Sequence, residues 1–127
     1  MSAARYALVL HPDASFQTVE WPRNSAAGLR TLYAEIGCIC ITVVDLSPKV
    51  SMWLDDEGII NGSPVNQWAT TVYSATAPVH QKYHGTAVFT GGTDARGNTT
   101  GLTRDNCDAL LELAGIEIPT FPHQRTT

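Results

Sequence analysis

Positive charge is scarce in this chain. Lys and Arg number 8 against 12 Asp and Glu, and the net charge is −4. A nucleic-acid binder needs a basic stripe to neutralise phosphates, and the sequence has none. Acid is also too thin for a DNA mimic, since its compact run is only Asp55-Asp56-Glu57. No apolar run approaches the roughly 20 residues that span a bilayer. Met1 to Tyr6 leads straight into an apolar segment, so no secretory leader is expected and a cytoplasmic location is. Cysteine is sparse and odd in number, at 3, which argues against a disulfide framework. Cys38, Cys40 and Cys107 are expected as reduced, buried thiols, the first two on one face of a strand. Their spacing is not that of a zinc site, so neither a metal nor a cofactor is expected. Nucleophile elbow, zincin helix, kinase set and triad order are all missing. An enzyme therefore has no positive support from motifs.

What remains is the material of one ordinary domain. The 127 residues are 43% hydrophobic and 16% charged, enough for a packed core without disulfide or metal. Tyr6 to Leu10 is apolar and ends at His11-Pro12-Asp13, a turn signal. Phe16 to Trp21 alternates, so the two segments predict a hairpin that Pro22 stops. Ser25 is the expected cap of a helix with Leu29, Leu32, Tyr33 and Ile36 on one face and Gly37 as its stop. Cys38 to Leu46 reads as a central strand buried on both faces. Val50 to Leu54 completes a second hairpin, ending in the acidic turn at Asp55-Asp56-Glu57-Gly58. Ser63-Pro64 is the expected opening of a helix carrying Val65, Trp68, Ala69 and Val72. Thr86 to Thr90 follows as a short strand. Thr103 caps a last helix with Cys107, Leu110, Leu111 and Ala114 inward and Gly115 at its end. The expected order is β-β-α-β-β-α-β-α, an α+β fold of about five antiparallel or mixed strands with three helices on one face. One domain is expected over 1–118, with a polar tail over 119–127. Apolar faces outnumbering the covering helices predict a homo-oligomer.

Four segments carry a family likeness. They are Leu8-Val9-Leu10-His11-Pro12-Asp13, the hairpin close at Trp53-Leu54-Asp55-Asp56-Glu57-Gly58, Asn66 with Ala69, and Gly85 to Asp94 followed by Gly97 and Gly101-Leu102-Thr103. In order and spacing, over roughly residues 5 to 105, they resemble the family catalogued as domain of unknown function 3846. That family is found mainly in bacteriophages and mobile elements of actinobacteria and firmicutes. The resemblance implies a phage or mobile-element origin and action inside a bacterial cell. It brings no catalytic residues with it.

The stretch from Thr90 to Gly101 is the most informative chemically. Its glycines free the backbone to turn N–H groups toward a ligand, and Thr93 and Arg96 add donors. The helix opening at Thr103 adds a positive dipole end. The expected ligand site comprises Thr90, Gly91, Gly92, Thr93, Asp94, Arg96, Thr103 and His84, with Arg96 as its main fixed charge. No Gly-Lys-Ser/Thr ending makes it a P-loop. The leading expectation is a non-enzymatic phage or mobile-element accessory protein that sequesters a small anionic, nucleotide-like ligand as counter-defence. Two alternatives stand beside it. One is an inhibitor that meets a host protein through the Asp55 to Glu57 turn. The other is a small hydrolase or transferase using His80 or His84 with Asp94.

Overall fold

The computed structural model describes residues 5–78 and 81–117. His80 and the 119–127 tail lie outside the described residues. The elements are β1 (Tyr6–Leu10), β2 (Phe16–Glu20), α1 (Ser25–Ile36), β3 (Ile41–Ser47), β4 (Val50–Asp55), α2 (Gln67–Ser74), β5 (Ala87–Gly91) and α3 (Arg104–Ala114). Their order is the one the sequence predicts. All strand pairs are antiparallel, and the sheet runs β2-β1-β5-β4-β3. Two sequence-local hairpins thus stand apart, and β5 inserts between them. No helix of the described residues is long and apolar enough to cross a membrane.

The central strand is β5, not the segment from Cys38 to Leu46. Every residue of β5 is buried, whereas β3 lies at the sheet edge with Val43 43% exposed. An unbroken apolar run suits a central strand, but Val43, Asp45 and Ser47 are exposed and give β3 a wet side. β3 also begins only at Ile41, so Cys38 and Cys40 sit in the connection before it. Cys40 is exposed rather than buried. Cys107 is fully buried in α3, and burial pushes its thiol up to about 11. At pH 8 roughly one such thiol in a thousand is ionised, and the thiolate is the reactive form. A thiol reagent at pH 8 is therefore expected to label Cys40 within minutes and Cys107 only after unfolding. Mass spectrometry of the native protein that finds Cys107 modified first would contradict this packing.

Helices cover both faces of the sheet, not one. Successive residues of a strand point to opposite sides. Leu8, Leu10, Met52, Leu54, Ala87 and Phe89 pack with α2 and α3 through Val72, Tyr73, Cys107, Leu110 and Leu111. Ala7, Val9 and Val88 pack with Leu32 of α1. α1 thus packs over the middle of the second face, while Val43 at the β3 edge stays exposed.

The helix starts also differ from the expected ones. Asn24, rather than Ser25, caps α1, its side-chain oxygen accepting from Ala26 N at 2.8 Å and Ala27 N at 3.1 Å. Gly37 ends it in the left-handed conformation at φ 74°. Ser63-Pro64 does not open α2, because Val65 is extended and bridges to His84. Asn66 is the cap. It is fully buried, its Oδ1 accepts from Ala69 N, and its Nδ2 donates to Leu10 O at 3.0 Å and Gly85 O at 2.9 Å. One amide thus ties the end of β1, the approach to β5 and the start of α2. Thr103 caps α3 as expected, accepting from Asn106 N at 3.1 Å. The guanidinium of Arg104 lies 4.7 Å from the centre of the Tyr6 ring, fastening that helix start to β1.

Candidate functional site

The glycine-rich stretch is a tight hairpin rather than an open loop. Gly91 N donates to Thr100 O at 2.9 Å, and Thr100 N donates to Gly92 O at 2.9 Å. Two residues therefore oppose one, the arrangement of a β-bulge, which bends β5 as it leaves the sheet. Asp94 N donates to Asn98 O, and Gly97 N returns to Asp94 O at 3.0 Å. The Asp94 carboxylate closes the turn by accepting from Arg96 N and Asn98 N, each at 2.9 Å. Leu102 then pairs with Tyr6, delivering the chain to α3.

Gly91 and Gly92 are required by close approach. A Cβ on Gly91 would overlap Thr100 Oγ1 and stand 2.7 Å from Gly101 O. A Cβ on Gly92 would overlap the carbonyl oxygen of Pro48 and stand 2.9 Å from its carbon. The β3–β4 turn is thereby pressed onto the end of β5. That turn is fixed by Lys49 N donating to Ser47 Oγ at 3.1 Å, and it carries Lys49 to the same place.

A cleft of about 540 Å³ opens there, within the range of small-molecule sites. Gly91, Gly92, Thr93 and Asp94, four of the residues expected at a ligand site, line it. Its cations are Arg5, Arg23 and Lys49, which the sequence reading missed. Arg5 precedes β1 and Arg23 follows β2, and both come to this end of the sheet because Trp21 N donates to Arg5 O at 2.8 Å. Arg5, Arg23 and Lys49 line the cleft with one carboxylate, Asp94, which accepts from two backbone N–H groups. Asn106, in the first turn of α3, reaches the wall and brings the helix N-terminus to the cleft. Positive charge and donors converge here in a protein whose net charge is −4.

Other expected site residues fall elsewhere. Arg96 is exposed at the hairpin tip and is not among the residues lining the cleft. The cations that do line the cleft are Arg5, Arg23 and Lys49. Thr90 is fully buried; its hydroxyl accepts from Trp53 Nε1 at 2.9 Å and donates to Gly91 O at 2.9 Å. It is a strut of the scaffold, with no hydroxyl proton to offer a ligand. Thr103 is committed to its helix cap. His84 lines a different hollow, of about 480 Å³, beside Asp55, Asp56 and Glu57. Its Nδ1 lies 2.9 Å from Ser63 O, so that nitrogen carries the proton and donates. His84 and Asp94 thus line different clefts, and the pair expected for a hydrolase is not brought together. Asp55 is committed within its own turn, accepting from Glu57 N at 2.8 Å and Asn61 Nδ2 at 3.0 Å. Among the described residues, no group of three or more His, Cys, Asp or Glu is placed to hold a metal ion.

Comparison with known proteins agrees with the likeness read from the sequence. Among curated proteins and solved structures, none matches the chain. A family model does, over residues 4–115, and its span takes in every strand and helix described above. The chain belongs to the family described as Domain of unknown function (DUF3846).

Proposed function

We propose that this protein is a non-enzymatic binder of a small anionic, nucleotide-like ligand, held in the cleft between Arg5, Lys49 and Gly92. One observation carries the reading: three cations converge on a bulged glycine pair beside a helix N-terminus, in an otherwise acidic chain. Such a site offers an anion fixed donors with little reorganisation. The resemblance to a phage and mobile-element family supplies the setting. The protein acts in the host bacterial cytoplasm and removes a nucleotide-like signal as counter-defence.

The test is calorimetric titration with adenosine triphosphate as probe. Arg5→Ala and Lys49→Ala are each expected to weaken binding by about 10-fold or more, the loss of a charge-assisted hydrogen bond. Arg96→Ala is expected to bind as the parent does, because that side chain lies outside the cleft. Equal binding by all three variants, or a loss confined to Arg96→Ala, would reject the site.

A second reading rests on the other hollow. Ile59 and Ile60 are 73% and 82% exposed, next to the Asp55 to Glu57 turn. Apolar side chains beside an acidic rim suit a basic protein partner, the inhibitor alternative. Such a complex weakens as salt rises, whereas a salt-independent one would count against it.

A further inference from the structure

The cleft does not end at its cations. Trp21, Arg23 and Thr99 line it and also line a second recess of about 190 Å³. The far wall of that recess is Leu29 and Leu32 of α1 with Trp53 of β4. Its two indoles have no donor left to give. Trp21 Nε1 donates to Thr99 O at 3.0 Å, and Trp53 Nε1 donates to Thr90 Oγ1 at 2.9 Å. They therefore present carbon surface. Leu32 is buried at the back, and Leu29 stands half-exposed. An inorganic anion has no use for such a surface, while a flat aromatic ring does.

Resting on the anion-binding reading, we infer that the ligand has two parts and is a nucleotide. Its phosphates lie against Arg5, Lys49 and Gly92, and its base packs against Trp21 and Trp53 in the adjoining recess. Arg23 borders both compartments and stands at the junction, where the sugar joins base to phosphate. Aromatic surface accepts any base, so the recess sets the class of ligand more than the identity of the base. The chain path explains the adjacency. Trp21 follows β2 at the open end of the β1–β2 hairpin and packs against Gly28 of α1, and Thr99 is the residue of the return strand that its indole grips.

The experiment compares ligands of matched charge on the full chain. Ribonucleoside mono- and triphosphates and cyclic dinucleotides are titrated beside tripolyphosphate and free nucleosides. The best nucleotide is expected to bind at least about 10-fold more tightly than tripolyphosphate, the gain that packing a base on aromatic side chains gives. Its binding also quenches tryptophan fluorescence, which tripolyphosphate leaves unchanged. Leu29→Trp fills the recess from a half-exposed position without disturbing the buried core. It should abolish the nucleotide preference and keep tripolyphosphate binding. Equal affinity for nucleotides and tripolyphosphate overturns the two-part ligand and leaves the anion site standing. Binding of neither overturns both. An undiminished nucleotide preference in Leu29→Trp places the base elsewhere and overturns the recess.

Discussion

Asn66→Ala is expected to cost about 3–5 kcal/mol of stability, since it strips a helix cap and leaves buried carbonyls without donors. Its two N–H groups reach Leu10 O and Gly85 O, and its oxygen takes Ala69 N. Each group left unmatched in the core costs on the order of 1–3 kcal/mol. A domain of this size is stable by only about 5–15 kcal/mol, so the variant should sit near the edge of folding. Asn66→Asp sharpens the test. At a solvent-exposed cap Asp and Asn are equivalent. Here Asp keeps the acceptor for Ala69 N but turns a second oxygen toward two carbonyls, so it should be no better than Ala. Urea denaturation measures both. A midpoint for Asn66→Asp within error of the parent would mean that the amide bridges nothing.

Gly92→Ala is expected to cost about 1–3 kcal/mol, with the higher value favoured because the obstruction is backbone. The Pro48 carbonyl sits where the new methyl must go, and the obstructing atoms are backbone rather than the end of a flexible side chain. The larger effect should fall on binding. Relief of the overlap requires the β3–β4 turn to move, and that turn carries Lys49. A stability loss accompanied by loss of ATP binding is the predicted signature. Gly97 gives the contrast. It has φ +84° with nothing within 4 Å of a Cβ, so Gly97→Asn, a residue that tolerates this conformation, should keep the parent's stability. Intact binding by Gly92→Ala would show that the pressed turn does not shape the cleft.

The hairpins, the helix faces and the element order were legible because each rests on local pattern and short turns. Alternation at Phe16 to Trp21 and the i, i+3, i+4 spacing of the helices need no knowledge of the rest of the chain. Misread features depend on partners distant in sequence. The apolar run before Leu46 looks central, but β5 takes the central place because it fits between β1 and β4 on both sides. Asn66 outranks Ser63 as a cap because two carbonyls, one 56 residues away in sequence and one 19, converge on it. The candidate site divides in the same way. Gly91, Gly92, Thr93 and Asp94 announce themselves as one unusual stretch. Arg5, Arg23 and Lys49 are single cations in three unrelated segments, and only the closed sheet brings them to those glycines. Arg96 was the natural choice by adjacency, yet the Asp94 turn carries it outward to the hairpin tip.

The central claim, that an anionic ligand sits between the β5 bulge and the β3–β4 turn, is tested most directly by backbone amide NMR. The protein is titrated with adenosine triphosphate and the shifts are mapped on the chain. The account predicts that they concentrate at Arg5, Arg23, Lys49, Gly92, Thr93 and Gly101, with Arg96 and the Asp55 to Glu57 turn nearly still. Shifts centred on His84 and the acidic turn, or none at millimolar ligand, would contradict it.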